Sequence, residues 1–184
     1  MEAFASGFIP AHLGVVISNR AGAPVLDRAQ EHEIPALCVP SRGSPREDHE
    51  RALLSCLAEH RIHHVLLAGY MRVLSPVFLD GFDGTVLNIH PALLPDFPGL
   101  HGAERQWEAG RKIAGATVHM VDHGVDTGPV VLQGSLVVRG DEGPQGLADR
   151  ILHEVEHVIY PRAVRLFLDR LNPDPDPPTP RTPS

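Results

Sequence analysis

Asn88 and His90 stand two residues apart in Leu87-Asn-Ile-His-Pro91, a spacing that puts both side chains on one face of a strand. Where that strand runs into Pro91, the carboxamide and the imidazole can converge on one spot. The amide offers a donor for a developing oxyanion, and the imidazole titrates near neutrality and can move a proton. Asp126 lies in Gly124-Val-Asp-Thr-Gly-Pro129, a loop flanked by glycine and proline. A carboxylate there would orient the imidazole and favour its charged form. The spacing alone also fits a plainer arrangement, with Asn88 closing a turn and His90 packed under a loop.

Strands must deliver these residues to one edge. Residues 13–18 read as a buried strand and 24–32 as a short helix; 34–39 form a second strand, ended by Pro40. Residues 46–60 are helical, with Leu53, Leu54 and Leu57 on one apolar face and Pro45 near the start. Residues 64–69 and 85–89 supply strands three and four. This βαβαβ rhythm predicts an α/β fold, a Rossmann-like three-layer sandwich with a mostly parallel central sheet and helices on both faces. Ligands in such sheets bind at the C-terminal strand ends, where strand three delivers residues 69–74 and strand four delivers Asn88, Ile89 and His90. Further on, 103–109 reads as a helix and 114–121 as a strand. Residues 130–138 form a strand or a hairpin pair. A long helix over 145–171 is expected to be interrupted at Pro161, which removes a backbone donor. Residues 1–171 therefore read as one domain, and the proline-rich stretch 172–184 as a disordered tail.

Composition narrows the function classes. With 184 residues, 42% of them hydrophobic, the chain can bury one substantial core. Its net charge of −7 argues against nucleic acid as a partner, since phosphate backbones require a basic surface. Small anions remain possible ligands, because a few arginines and backbone N–H groups suffice for them. No apolar run approaches the roughly 18 residues of a membrane span, and no signal peptide is readable. Cys38 and Cys56 are the only cysteines, which fits a reduced, cytoplasmic protein. His119 and His123 are four apart on an expected strand and turn, not on a helix face where such ligands align. No metal site is expected.

Longer blocks carry a more specific signal. Leu66-Leu-Ala-Gly-Tyr-Met-Arg-Val-Leu-Ser-Pro76, Leu87-Asn-Ile-His-Pro-Ala-Leu-Leu-Pro-Asp-Phe-Pro-Gly-Leu-His101 and Gly115-Ala-Thr-Val-His119 occur in order. Val125-Asp-Thr-Gly-Pro-Val-Val-Leu-Gln133 and Glu156-His-Val-Ile-Tyr-Pro161 follow. Together they resemble the phosphoribosylglycinamide formyltransferases of purine biosynthesis over about residues 1 to 170. The resemblance implies the formyltransferase fold and direct transfer of a formyl group, through a tetrahedral intermediate, from 10-formyltetrahydrofolate to the amine of phosphoribosylglycinamide. It implies that Asn88 binds the formyl oxygen, that His90 donates and shuttles the proton, and that Asp126 supports charged His90 and an ordered water. Arg46 and Met71-Arg72-Val73-Leu74 would build the folate site, with backbone around residues 122–126 at the pterin edge. Glu156 would bind the ribose hydroxyls, and His119 would support the centre or serve as a core histidine. The implied partners are the two small-molecule substrates, on a monomer or a homodimer, with no metal, nucleic acid or membrane.

One departure bears on activity. The family begins with a strand and a Gly-x-Gly-Ser-Asn turn whose N–H groups hold the substrate phosphate; Met1-Glu-Ala-Phe-Ala-Ser-Gly7 resembles the end of the helix that follows it. The expectation is that the native start codon lies upstream, which inspection of the in-frame DNA would test. A truncated chain would have poor stability and weak or absent activity. Two other readings share part of the pattern: a formyltetrahydrofolate deformylase, which transfers the group to water, and a non-catalytic folate-binding remnant. The runs after His90 and around Glu156 favour the glycinamide enzyme.

Overall fold

The computed structural model describes residues 1–172; the expected tail, from residue 173 onward, lies outside the described residues. A short α1 (Glu2–Ala5) precedes β1 (Val16–Ser18), which pairs in parallel with β2 (Ala36–Cys38) across α2 (Pro24–Glu31). After α3 (Arg46–Glu59), β3 (His64–Leu67) pairs in parallel with β4 (Thr85–His90), joined to it through α4 (Pro76–Gly81). The chain then passes α5 (Gly102–Glu108) and adds β5 (Ile113–Met120) and β6 (Val130–Val137) in antiparallel fashion, giving the order β3-β4-β5-β6. The loop over 121–129 is too short for a crossover, so residues 130–137 form one strand folded back on β5.

Adjacent residues of β4 show why this is a sandwich. Val86 and Leu87 point to opposite faces and enter different cores. Val86 packs with Leu57 of α3 and with Leu74 and Phe78 around α4. Leu87 packs with Ala116 and Val118 of β5 and with Leu147, Ile151, Val155, Ala163 and Phe167 of the C-terminal helices. Both faces of the strand that carries Asn88 and His90 are therefore clamped by helices.

Two expectations need correction. The parallel strands are shorter than the apolar runs suggest, and β1–β2 forms a sheet separate from β3–β6. A cavity of about 740 Å³ lies between them, lined by Val15, Val16 and Ile17 on one side and by Val65, Leu66 and Leu67 on the other. Strand residues facing that space are only half-buried. Pro161 also fails to break the last helix. α6 (Gly143–Arg150) runs through a π-helical segment (Ile151–Glu156) into α7 (His157–Leu171), with Pro161 inside it. Burial of Ile159, Ala163, Val164 and Phe167 outweighs the loss of one backbone hydrogen bond. Among the described residues no helix is long and apolar enough to cross a membrane.

Candidate active site

Alternation along β4 turns Asn88 and His90 to the same side, and the antiparallel register sets His119 opposite Asn88 and Thr117 opposite His90. Two contacts join this row to the loop after β5. His90 Nδ1 lies 3.3 Å from Asp126 Oδ2, and His119 Nε2 lies 3.4 Å from Asp126 Oδ1. His119 Nδ1 is 2.8 Å from the Met120 carbonyl and its Nε2 is 3.3 Å from Asn88 Nδ2. With Nδ1–H given to Met120, the neutral His119 ring accepts from Asn88, whereas the charged ring donates to Asp126. Asn88, His119, Asp126 and His90 thus form one connected chain of polar groups. His119 is part of that chain rather than a detached core histidine.

Asp126 is the electrostatic centre. Burial by itself raises its pKa and is the largest single influence, but hydrogen bonds from His119 and from the Gly99 N–H, together with the charges of His90 and His119, outweigh it. The carboxyl is held below its ordinary value. The Gly99 N–H donates to Asp126 Oδ2 at 2.7 Å, while the Phe97 carbonyl lies 2.8 Å from His90 Nε2. Each His90 nitrogen therefore faces an acceptor, and only the imidazolium can donate to both.

The loop that supplies these groups is anchored by side chains that sequence reasoning passed over. Thr117 Oγ1 donates to the Ala92 carbonyl at 2.7 Å and accepts from the Leu94 N–H at 3.0 Å and from Gln133 Nε2 at 2.9 Å. Gln106 of α5 bridges the Pro91 carbonyl (2.9 Å) and the Gly115 N–H (3.1 Å). Their polar pairing is invisible in a one-dimensional pattern, although both lie beside the His90-Pro91 block. Gly102, at the start of α5, lets the helix approach the imidazole. A Cβ there would meet His90 Nε2 at 3.0 Å and Ala92 Cβ at 3.1 Å. Gly102→Ala is expected to tilt the His90 ring and lower turnover by about tenfold, with little change in melting temperature; steady-state kinetics beside thermal melts check this.

The remaining candidates occupy neighbouring ground. Met71 and Val73, on the segment leaving β3, are 78% and 53% exposed, whereas Leu74 is buried in the core. Two exposed apolar side chains therefore flank Arg72 just after β3, outside the core. Arg72 and the exposed Arg46 lie close enough to Tyr70 for their charges to oppose the upward shift that burial gives its phenol. Glu50 sets this segment. Its fully buried carboxylate accepts from the Ser75 N–H at 3.0 Å and from the Ser75 hydroxyl, pinning the start of α4 to α3. In sequence, Glu50 looks like any helix carboxylate.

Glu156 stands one turn before Tyr160, whose hydroxyl donates to the carbonyls of Leu67 (2.7 Å) and Leu87 (3.2 Å). That helix face therefore turns toward the strand ends. Burial raises the Glu156 pKa. A raised folded-state pKa favours the protonated form, a contribution present below the unfolded value near pH ~4.3 and lost as pH rises through the folded one. Glu156→Gln is accordingly expected to raise the melting temperature at pH 7 and to leave it unchanged near pH ~3, below both values. Thermal melts across that range check the sign. The large cavity between β1 and β3 is lined by Tyr70 and Leu74 but not by Asn88, His90 or Asp126. Among the described residues no cluster of His, Cys, Asp or Glu is arranged to hold a metal ion.

The chain is similar to known proteins over most of its length. Residues 1–164 match the formyl transferase family model. The chain is 34% identical over 159 residues to the phosphoribosylglycinamide formyltransferase of Bacillus subtilis, covering 86% of this chain and 81% of that protein. It is 40% identical over 162 residues to the trifunctional purine biosynthetic protein adenosine-3 of Drosophila melanogaster, covering 88% of this chain but spanning only 12% of that longer protein. Among solved structures, glycinamide ribonucleotide transformylase 1 from Symbiobacterium toebii superposes with a TM-score of 0.87 at 42% identity, over 92% of this chain and 80% of that one. Phosphoribosylglycinamide formyltransferase from Bacillus halodurans gives 0.86 at 36% identity, over 92% and 88%.

Proposed function

The chain belongs to the formyl transferase family, and from that premise we propose that it moves the formyl group of 10-formyltetrahydrofolate onto the amine of phosphoribosylglycinamide. The observation that carries the proposal is the connected chain Asn88–His119–Asp126–His90 at the ends of β4 and β5. The reaction needs a donor for an oxyanion, a group that exchanges protons near neutrality and a fixed negative charge beside it. This chain of residues supplies all three.

Attack forms a bond between the amine nitrogen and the formyl carbon, and the carbonyl π pair moves to oxygen. Asn88 Nδ2 carries two N–H bonds, one directed at His119, and the other is free to bind that oxyanion. Collapse breaks the bond to the folate nitrogen, which leaves with the electron pair and takes a proton; the amine gives up one proton. His90 mediates that exchange, and Asp126 stabilises its charged form. No covalent bond to the protein is required.

The residues at the end of β3 fit the formyl donor. Met71 and Val73 give an apolar wall for a flat bicyclic ring, Leu74 backs it from the core, and Arg46 and Arg72 supply charge for carboxylates. The donor supplies an activated formyl group; the protein orients it against Asn88. Glu156 accepts hydrogen bonds from ribose hydroxyls of the other substrate.

A spectrophotometric assay with 10-formyl-dideazafolate and glycinamide ribonucleotide tests the proposal. Deformylated folate and formylated amine should appear in equal amounts. Folate binding without transfer would overturn it, and product formed without the amine would identify a deformylase instead.

A further inference from the structure

Asp96, Phe97 and Pro98 are each gripped from outside by an arginine. Arg111 pairs with the Asp96 carboxylate at 2.5 Å, and its guanidinium carbon lies 5.2 Å from the centre of the Phe97 ring. Arg105 of α5 lies over the same ring at 5.6 Å and donates Nη1–H to the Pro98 carbonyl at 2.6 Å. The inner side of the same segment meets the proposed catalytic pair, through the Phe97 carbonyl on His90 Nε2 and the Gly99 N–H on Asp126 Oδ2. Phe97 has φ 56° and His101 φ 60°, a left-handed conformation that non-glycine residues adopt only when their surroundings impose it.

We propose that Arg105 and Arg111 are positioning residues: they clamp Phe97 and its neighbours so that the Phe97 carbonyl and the Gly99 N–H hold His90 and Asp126 in working register. This rests on the catalytic reading of His90 and Asp126 given above. A guanidinium spread over an aromatic face is attracted to it while its edge donates to carboxylate or carbonyl. One side chain can therefore fix ring and backbone together. Neither arginine touches a reacting atom. Both sit on the surface side of the loop and act through two backbone groups.

The test uses Arg105→Met, Arg111→Met, the double variant and the two Arg→Lys variants in the intact chain. Each Met variant is expected to lower kcat by about tenfold and the pair by about a hundredfold, with KM for both substrates unchanged. Lysine, which keeps the charge but not the planar fork, should restore part of the loss. Amide hydrogen exchange at Gly99 should accelerate in the Met variants while exchange at Val118, in the middle of β5, keeps its rate. Gly99 exchange unchanged in the double variant would overturn the clamp. So would acceleration by the same factor at Val118, which would mean general loosening. If His90→Ala retains turnover, the catalytic reading fails by itself, because Gly99 exchange reports on the clamp without reference to activity.

Discussion

His90→Ala is expected to lower kcat for formyl transfer by about 10²- to 10⁴-fold, the range of a general acid–base group, with KM for the folate little changed. Alanine removes the only imidazole held directly between the Phe97 carbonyl and the Asp126 carboxylate. It also leaves Asp126 facing an empty space. Asn88→Ala should cost about 10²- to 10³-fold, as loss of one oxyanion donor does. Asp126→Asn should approach the His90 effect, since the amide withdraws the negative charge from His90 and His119 at once. If the three residues act as one unit, the double variant His90→Ala/Asp126→Asn falls no further than the worse single one. Additive losses would mean that Asp126 acts apart from His90.

Asp126→Asn carries a second signature, in stability. The carboxyl pKa is held below its ordinary value by His119, Gly99 and His90 against the opposing effect of burial. A depressed folded-state pKa gives stability that is present above the unfolded value, near ~3.9, and is lost as pH falls through the folded one. The wild type should therefore exceed Asp126→Asn in melting temperature at neutral pH, and the gap should close under strong acid. Glu156→Gln has the reverse sign, so the two variants bracket the acid limb from opposite sides.

What the sequence discloses and what it hides divide along physical lines. Period-two spacing places Asn88 and His90 on one face, and the structure keeps them there because β4 is a true strand buried on both sides. Apolar runs reveal that strands exist but not how far pairing extends. Residues 13–18 read as one strand, yet hydrogen bonding is confined to Val16–Ser18 and β2. Pro161 follows a local rule, and burial of the α7 apolar face overrides it. The polar framework is least legible. Glu50, Gln106 and Thr117 are ordinary residues in sequence, and their importance comes from partners 25, 15 and 25 residues away. His119 is intermediate, since its block is readable but its place opposite Asn88 depends on the β4–β5 register.

Gly128→Ala is expected to be the most damaging of the small substitutions, because it joins a stability defect to a defect in the site. A Cβ on Gly128 would lie 1.9 Å from the Met120 carbonyl oxygen and 2.9 Å from its carbon. Both are backbone atoms at the end of β5, where the Met120 N–H also donates to the Pro129 carbonyl at 2.9 Å. No rotamer change relieves such a contact; the loop must lift from the strand. Asp126 sits two residues before Gly128, at φ 55°, so any lifting shifts the carboxylate away from His90 and His119. The expected loss is about 2–4 kcal/mol of stability, seen as roughly 5–15 °C in melting temperature. At a temperature where the variant remains folded, kcat should still be down by about a hundredfold. Two other glycines separate the causes. Gly124→Ala meets Thr127 Oγ1 at 1.9 Å, a side-chain atom that can rotate away, and should be milder in both respects. Gly115→Ala meets the Gly134 carbonyl at 2.0 Å across β5–β6; it should destabilise comparably but, reaching the site only through Gln106, lose less kcat where folded. Equal kcat losses in Gly115→Ala and Gly128→Ala would show that the loop has no particular hold on the Asp126 carboxylate.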